Sequence, residues 1–386
     1  MKLRGRTVRH WLLGSVGALV ATVGMPVALG QGGEEIKVGH YASLTGSEAT
    51  FGQSTDNGIK LAIEEFNAAG GLKGRKVKIL TLDNQGKAQE TGTVVQRLIN
   101  QDKVIALLGE VASSRSIAGG RIAQQAGIPM ISPSSTNEQV TKIGSMISRV
   151  CFVDSFQGYV MAKFAKDNLK AGKIAILYDQ SQAYSKGLKD DFKKAFTAMG
   201  GTITTEQAFN GGDQDFSAQL TSIRGGNPDG IYIPGYYTDV GNIAIQTRKL
   251  GIKAPLLGGD GWDSSKLAEI GGKDIEGAYY SNHYAPDQPS KEVQEFVKKY
   301  KEKYGQTPDG LAALGYDAAK LLCEAMGRAK SLGGQDLAAA INATKDFHGV
   351  TGVISIDKDR NAQKPAVVVQ MKGGVPSFVA LVEPAK

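Results

Sequence analysis

The strongest constraint on the fold of this chain is a regular alternation of strand and helix patterns that begins at residue 35. Apolar segments at 35–44, 76–84 and 104–110 fit strands, whereas 55–71 and 88–101 show the spacing of amphipathic helices. The first of these helices ends at a Gly-Gly pair, which is a common stop signal. Because parallel strands need long crossover connections, the alternation predicts a parallel sheet covered by helices on both faces.

A second set of the same kind starts near residue 152. Its strand patterns are separated by helical patterns and lie at 173–180, 202–209, 229–235 and 254–260. Each set contains an aromatic residue followed by a small one, Phe51-Gly52 and Tyr184-Ser185, before a helix that ends in Gly-Gly. We interpret this weak repeat as two similar lobes. Duplication stays a hypothesis, because glycine pairs often end helices.

The last third of the chain departs from simple repetition. Helical patterns at 292–305 and 311–330 resemble those of the first set, whereas 352–374 is typical of antiparallel strands with two turns. No Pro- or Ser-rich linker separates the two sets, so we expect interleaved lobes rather than sequential domains. The predicted fold class is α/β, with two Rossmann-like lobes whose parallel sheets are covered by helices. The predicted lobes comprise 34–152 with 283–355, and 153–282 with 356–386.

The first thirty residues have the layout of a secretory signal peptide. Four basic residues precede the apolar stretch 11–23, and small residues at 27–30 offer a cleavage site. The alternative is a membrane anchor, but the apolar stretch is short for a span of about 20 residues. No cysteine follows that stretch, which argues against a lipid anchor. We therefore predict a periplasmic protein whose signal peptide, 1–30, is removed, so that it starts near Gln31.

Removal of that segment changes the charge. Four of the 45 Lys and Arg residues lie in 1–30 with no acidic residue, which leaves 41 against 38 and a net charge of +3. No cluster of basic and aromatic residues indicates a nucleic-acid surface. We therefore expect no nucleic-acid partner.

Signals for catalysis are weak. The three histidines beyond the signal segment, His40, His283 and His348, show no metal-ligand spacing, and we expect each at the surface or in a loop. No nucleophile elbow, phosphate loop or dinucleotide fingerprint is present in the sequence. We predict neither enzymatic activity nor a cofactor. Cys151 and Cys323 are predicted to be free and buried, although export leaves a disulfide open.

Binding chemistry is better supplied, because hydroxyl groups follow the ends of several predicted strands. In a parallel sheet, ligands bind at the carboxyl ends of the strands, where helices also begin. The polar residues found there are Ser113, Ser114, Ser134, Ser135, Thr136, Tyr184, Tyr236, Tyr237 and Asp260. Any one of the hydroxyls could simply cap a helix. Their convergence on one edge favours a ligand, and hydroxyls with helix N-terminal N–H groups suit a carboxylate.

Asp260 supplies the opposite charge. A carboxylate with tyrosine neighbours can hold an ammonium group through a charge-assisted hydrogen bond and cation–π contact. An anion receptor on one lobe and a cation receptor on the other describe a zwitterion bound between them. The hydroxyls then need no histidine to activate them, because they bind a carboxylate rather than attack a substrate.

These segments also carry a family resemblance. The stretches IKVGHYASLTGSEATFG, FNAAGGLKGRKVKILTLDNQ, GIPMISPSSTNEQVT, YDQSQAYSKG and LLGGDGW are similar to those of the periplasmic branched-chain amino-acid-binding proteins. The similarity runs from about residue 34 to near the C-terminus. It implies the type I periplasmic-binding fold, in which the chain crosses a hinge between the lobes three times.

The resemblance also implies roles for single residues. Ser113, Ser134 and Thr136 correspond to carboxylate ligands, and Thr136 could also reach the amine. Ser135 joins the predicted ligand-binding residues from its place among the strand-end hydroxyls. Asp260 takes the place of the acidic ammonium ligand, with assistance from Asp154 and Tyr236, while Tyr184 and Phe51 line the side-chain pocket. Asp260 is one methylene shorter than the glutamate of leucine-type receptors, and Trp262 follows it in place of a small residue. Gly86 and Ala112 stand near the positions of a disulfide that this chain lacks.

The implied function is a solute receptor. It would bind an amino acid or related small carboxylate and deliver it, as a monomer, to the membrane permease of an ABC importer. The branched-chain class of ligand is less firmly implied than the amino-acid class. The alternatives are a sensory or regulatory protein for an amide or organic acid, and a secreted hydrolase.

Overall fold

The computed structural model describes residues 34–384, and its first sheet contains five strands. They are β1 (Ile36–Ala42), β2 (Val77–Asp83), β3 (Leu107–Leu108), β4 (Met130–Ser132) and β5 (Ile147–Arg149). The helices between them are α1 (Ala49–Ala68), α2 (Ala88–Asn100), α3 (Ser113–Ala126) and α4 (Gln139–Lys142). All four ladders are parallel, in the order β2-β1-β3-β4-β5. This lobe therefore has the predicted parallel architecture.

The second sheet repeats that order. Its parallel strands are β6 (Lys173–Asp179), β7 (Thr202–Phe209), β8 (Gly230–Tyr232), β9 (Leu256–Gly258) and β10 (Tyr279–Asn282). The helices are α5 (Asp154–Asp167), α6 (Ala183–Ala198), α7 (Ser217–Gly225), α8 (Tyr237–Lys249) and α9 (Ser265–Gly271), and Asp260–Trp262 forms a 3₁₀ turn. The strand order β7-β6-β8-β9-β10 matches that of the first sheet, which confirms the prediction of two similar lobes.

The rest of the chain is shared between the lobes. Helices α10 (Lys291–Tyr304), α11 (Gly310–Arg328) and α12 (Gly334–Asn342) belong to the first lobe. A small antiparallel sheet follows, comprising β11 (Phe347–Gly349), β12 (Gly352–Ile356) and β13 (Ala362–Gln363). Strands β14 (Ala366–Lys372) and β15 (Val375–Val382) then extend the second sheet beside β10 in antiparallel orientation. The chain thus crosses between the lobes three times, after β5, β10 and β13, as the predicted fold requires.

The third crossing lies later than predicted. Residues 356–363 were assigned to the second lobe, but β13 pairs with β12 and Ala362 packs in a core of the first lobe. We therefore place the crossing between Gln363 and Ala366, because the β12–β13 ladder holds the intervening turn on the first lobe. The other lobe boundaries stay a prediction.

The first sheet separates two apolar cores because successive residues of a strand point to opposite faces. Leu107 packs with Tyr41 and Met130 on one face, and its neighbour Leu108 packs with Val38 on the other. The second lobe is built around a larger core of its own. Helices α1 and α11 approach closely through glycine. A Cβ atom on Gly58 would lie 1.9 Å from the carbonyl oxygen of Ala312.

The cysteines and histidines were predicted to lie in different environments, and the structure shows where each side chain lies. Cys151 and Cys323 are both free and buried, as predicted. The surface or loop position expected for the histidines is wrong for His40, which is buried in β1. His283 lies in the loop after β10, as expected, but is buried, and His348 is exposed. A neutral imidazole can be buried where a nitrogen has a partner, and Nδ1 of His40 lies 3.1 Å from the carbonyl oxygen of Leu108.

The predicted signal peptide, 1–30, lies outside the described residues and stays a prediction. Within residues 34–384, no helix combines the length and apolar character needed to cross a membrane.

Candidate functional site

The repeated strand order places a crevice at the carboxyl ends of the strands in each lobe. In a 2-1-3-4-5 sheet, the connections from the first and third strands leave in opposite directions, which opens a binding crevice at that edge. Between the two edges lies a very small cavity. It is lined by Val111, Ser134, Tyr184, Tyr236, Asp260, Gly261 and Leu311. Four of the nine predicted site residues therefore line one cavity, with contributions from both lobes.

The predicted carboxylate ligands gather where α3 begins and in the loop that follows β4. Ser113 is the first residue of α3, and its Oγ accepts a hydrogen bond from the backbone N–H of Asn137 at 3.2 Å. The hydroxyls of Ser134 and Thr136 are buried and have no hydrogen-bond partner among residues 34–384. A buried hydroxyl without a partner is costly to the fold, so these two groups are suited to bind a ligand.

Ser135 differs from its two neighbours. Its Oγ lies 2.8 Å from the carbonyl oxygen of Val111, 3.0 Å from that of Glu110 and 2.7 Å from Oγ of Ser116. A hydroxyl has one hydrogen to donate, and these groups already compete for it. The Ser135 side chain thus holds its loop against the segment that leads into α3. Ligand binding by Ser135 stays a prediction.

Two buried arginines position these segments. The guanidinium of Arg149, on β5, donates to the backbone carbonyls of Ser135 at 2.6 Å and Asn137 at 2.8 Å. Arg149 was not among the predicted site residues, although an arginine within a buried strand is an unusual signal. Burial lowers the pKa of Arg149, and the two carbonyls provide partners for its charge. Arg149 thus fixes the backbone of the loop that carries Ser134 and Thr136.

The second arginine fixes the beginning of α3. The buried carboxylate of Glu110 accepts from the N–H of Ala112 at 2.6 Å and from Nε of Arg115 at 2.9 Å. Arg115 also donates to the carbonyl of Gly86 at 3.0 Å and lies 2.7 Å from a carboxylate oxygen of Glu48. This network joins the segments of Gly86 and Ala112, which stand near the positions of the missing disulfide.

Asp260, the residue predicted to bind the ammonium group, has a hydrogen-bond partner on each of its two carboxylate oxygens. Asp260 opens the 3₁₀ turn after β9, and its Oδ1 accepts from Oη of Tyr184 at 3.0 Å. Its Oδ2 lies 3.1 Å from Nε2 of His283, and its backbone N–H donates to Oε1 of Gln157 at 2.9 Å. His283 and Gln157 were missed by the sequence analysis. Trp262, two residues further on, lies in the core of the second lobe, where its indole N–H donates to the carbonyl of Ile233 at 2.9 Å.

Asp154 forms a different kind of acidic group. It is the first residue of α5, its N–H donates to the carbonyl of Thr136 at 3.0 Å, and its Oδ2 has no partner among the described residues. Burial raises its pKa well above the usual value, and the charge of Asp260 adds to this shift. Burial therefore disfavours the charged form of Asp154.

Aromatic rings form one wall of the cavity. The rings of Tyr184 and Tyr236 stack with their centroids 5.3 Å apart, and Phe51 meets Tyr236 edge-on at 5.4 Å. Phe51 belongs to α1 of the first lobe, so this contact joins the lobes. The hydroxyl of Tyr236 is buried and unpartnered among residues 34–384, which gives the apolar wall a polar group.

Direct hydrogen bonds between the lobes enclose the cavity. The N–H of Ala183, at the start of α6, donates to Oγ of Ser114 at 3.1 Å, and its carbonyl accepts from the Asn137 side chain at 2.9 Å. On another side, Oη of Tyr237 donates to the carbonyl of Ser47 at 2.9 Å. A ligand in this cavity would be shielded from solvent by both lobes.

Comparisons with known proteins agree with this architecture. Residues 35–375 match a family model described as periplasmic binding protein. A Leu/Ile/Val-binding protein homolog 2 of Brucella abortus is 32% identical over 360 residues, which cover 92% of this chain and 94% of that protein.

Two solved structures extend the comparison. The leucine-binding protein LivK of Thermotoga maritima is 41% identical with a TM-score of 0.87, over 90% of this chain and 99% of that one. The branched-chain amino acid transporter substrate-binding protein LivJ of Streptococcus pneumoniae, in complex with isoleucine, is 33% identical with a TM-score of 0.86. That match covers 91% of this chain and all of the other. The family match over residues 35–375, the sequence identities and the shared fold show that this chain belongs to the periplasmic binding protein family.

Proposed function

We propose that this protein is a periplasmic solute receptor that binds an α-amino acid between its lobes and delivers it to the permease of an ABC importer. The observation that carries the proposal is the division of charge around one small cavity. The unpartnered hydroxyl of Ser134 lines the cavity from the first lobe, near the N-terminus of α3, and the carboxylate of Asp260 lines it from the second. The unpartnered hydroxyl of Thr136 belongs to the same loop as Ser134. This arrangement is complementary to a zwitterion.

The remaining walls favour an aliphatic side chain. Val111 and Leu311 line the cavity together with the rings of Tyr184 and Tyr236. The aliphatic side chains and ring faces offer apolar contact, and the cavity is very small. Leucine, isoleucine and valine fit these properties, and the names of the related proteins agree with that class.

Ligand identity is tested by thermal shift with the twenty amino acids and their deaminated carboxylic acids. A ligand at 100 times its Kd should add about 2.7 kcal/mol of stability, which is readily measured as a rise in Tm. We expect aliphatic amino acids to raise Tm the most and their deaminated analogues to raise it less. Stabilisation only by compounds without an amine would contradict the proposal.

We further propose that the lobes close around the ligand by bending at the three crossings. The contacts of Ser114 and Tyr237 with the opposite lobe lie at the cleft, where they support the closed arrangement. Small-angle X-ray scattering with and without a verified ligand measures this motion and the molecular mass, which should be that of a monomer. A radius of gyration that does not fall on ligand binding would argue against closure.

A further inference from the structure

His283 links the hinge of the molecule to the cavity. It directly follows β10, at the second crossing between the lobes, and only 2% of its surface is exposed. Its ring stacks on that of Phe152, which lies at the first crossing, with a centroid distance of 3.6 Å and an interplanar angle of 23°. From this position its Nε2 reaches Oδ2 of Asp260 at 3.1 Å.

The hydrogen-bond pattern fixes how the imidazole is protonated. Burial lowers the pKa of His283 to about 4; the contact with Asp260 opposes this shift, and the positive charge of Lys364 adds to it. The ring is therefore neutral near pH 7 and carries one N–H. Because an ionised carboxylate can only accept, this hydrogen is on Nε2, and Nδ1 has no partner within residues 34–384.

A neutral hydrogen-bond donor beside Asp260 does not cancel the charge of the carboxylate, whereas a cationic donor would. Lysine or arginine in this position would pair with Asp260 and cancel its charge before any ligand arrived. His283 and Tyr184 each orient one carboxylate oxygen and leave the negative charge in place. A carboxylate has about four lone-pair sites, so two remain for a ligand.

We propose that His283 is a positioning residue that determines specificity for ligands with an ammonium group, by fixing the Asp260 carboxylate towards the cavity without neutralising it. This inference rests on the proposed function, because it assigns Asp260 to the amine of the ligand. No sequence pattern indicates such a role, because His283 stands alone after a strand.

The test compares variants of His283 with two probes, L-leucine and its deaminated analogue 4-methylpentanoate, by isothermal titration calorimetry at pH 7.5. His283→Phe retains a ring to stack on Phe152 and removes the N–H. We expect it to bind L-leucine at least tenfold more weakly, as for loss of a hydrogen bond to a charged group, and 4-methylpentanoate within about threefold of the original protein. His283→Gln can return an amide N–H to the position of Nε2 and should recover most of the L-leucine affinity.

The controls separate positioning from packing. His348→Phe, the same change at an exposed histidine, should leave both affinities unaltered. If His283→Phe does not fold, His283→Asn serves instead, because its shorter amide cannot replace Nε2; it should show the amine-specific loss that His283→Gln repairs. Equal losses for both probes would mean that His283 only packs at the hinge, and unchanged L-leucine binding would also overturn the inference. Failure of the original protein to bind any of the twenty amino acids would contradict the proposed function itself.

Discussion

Replacement of Asp260 by asparagine would remove the negative charge of the cavity while retaining its shape. The amide oxygen can still accept from Tyr184, and the amide nitrogen can donate to Nε2 of His283 once the neutral imidazole carries its hydrogen on Nδ1. Both partners of the side chain therefore stay paired. We expect the free energy of unfolding of the ligand-free protein to change little.

Ligand binding should change strongly. Removal of one partner of a buried, hydrogen-bonded charge pair costs about 2–5 kcal/mol, because the other charge remains buried without it. Asp260 is only 4% exposed, so water cannot reach the ligand's ammonium group to solvate it in place of the carboxylate. The expected result is a Kd for L-leucine raised about 30- to 4,000-fold in Asp260→Asn, and a Kd for 4-methylpentanoate that hardly rises.

Thr136→Val is the matched change at the carboxylate end. Its hydroxyl is buried and unpartnered among the described residues, so its removal should not destabilise the free protein. Both probes have a carboxylate, and both should bind about tenfold more weakly. Isothermal titration of the two variants with the two probes measures all four changes.

One result would refute the assignment of the ligand's ammonium group to Asp260 and of its carboxylate to Thr136. If Asp260→Asn weakened both probes equally, the ammonium group would lie elsewhere. Asp154, with its free Oδ2 beside Thr136, would then be the candidate, and Asp154→Asn should show the amine-specific loss instead.

Three further changes test other parts of the structure. Ser114→Ala removes two hydrogen bonds between the lobes, one from the N–H of Ala183 and one to the Gln182 side chain. It should weaken the binding of L-leucine and of 4-methylpentanoate alike, by about two- to tenfold in calorimetry, whereas Ser222→Ala, on an exposed helix face, should not. Burial raises the pKa of Asp309 to about 7, so between pH 4 and 7 the folded protein holds a proton that the unfolded chain releases, and this side chain opposes folding more as pH rises. Chemical denaturation should therefore show that the stability of Asp309→Asn relative to the original protein increases from pH 4.5 to 7.5; a constant difference would contradict the shift. Gly58→Ala would press a methyl group against the backbone of α11 and should lower stability by about 1–3 kcal/mol or more, while Gly92→Ala, with 3.8 Å to its nearest neighbour, should raise it by up to about 1 kcal/mol.

The architecture could be predicted well from the sequence, for a local reason. Hydrophobic periodicity and glycine stops are properties of neighbouring residues, and β2, α2 and β6 fall close to their predicted bounds. The carboxyl ends of parallel strands meet at one edge, so the strand-end residues Ser134 and Asp260 could be assigned to one site without knowledge of any contact. The resemblance to a known family then supplied the number of hinge crossings.

What only the tertiary structure decided concerns contacts between distant parts of the chain. His283 lies 23 residues beyond Asp260, and Gln157 lies 103 residues before it, so no sequence pattern relates them. Ser134, Ser135 and Thr136 are three similar hydroxyls in a row, and their different roles follow from what each one meets: carbonyl groups of the α3 segment for Ser135, and no described partner for the other two. A sequence determines which side chains reach the sheet edge, because strand ends are local. Which of them retains an unused hydrogen bond or an uncancelled charge depends on packing between the segments, and that is settled only when the lobes are assembled.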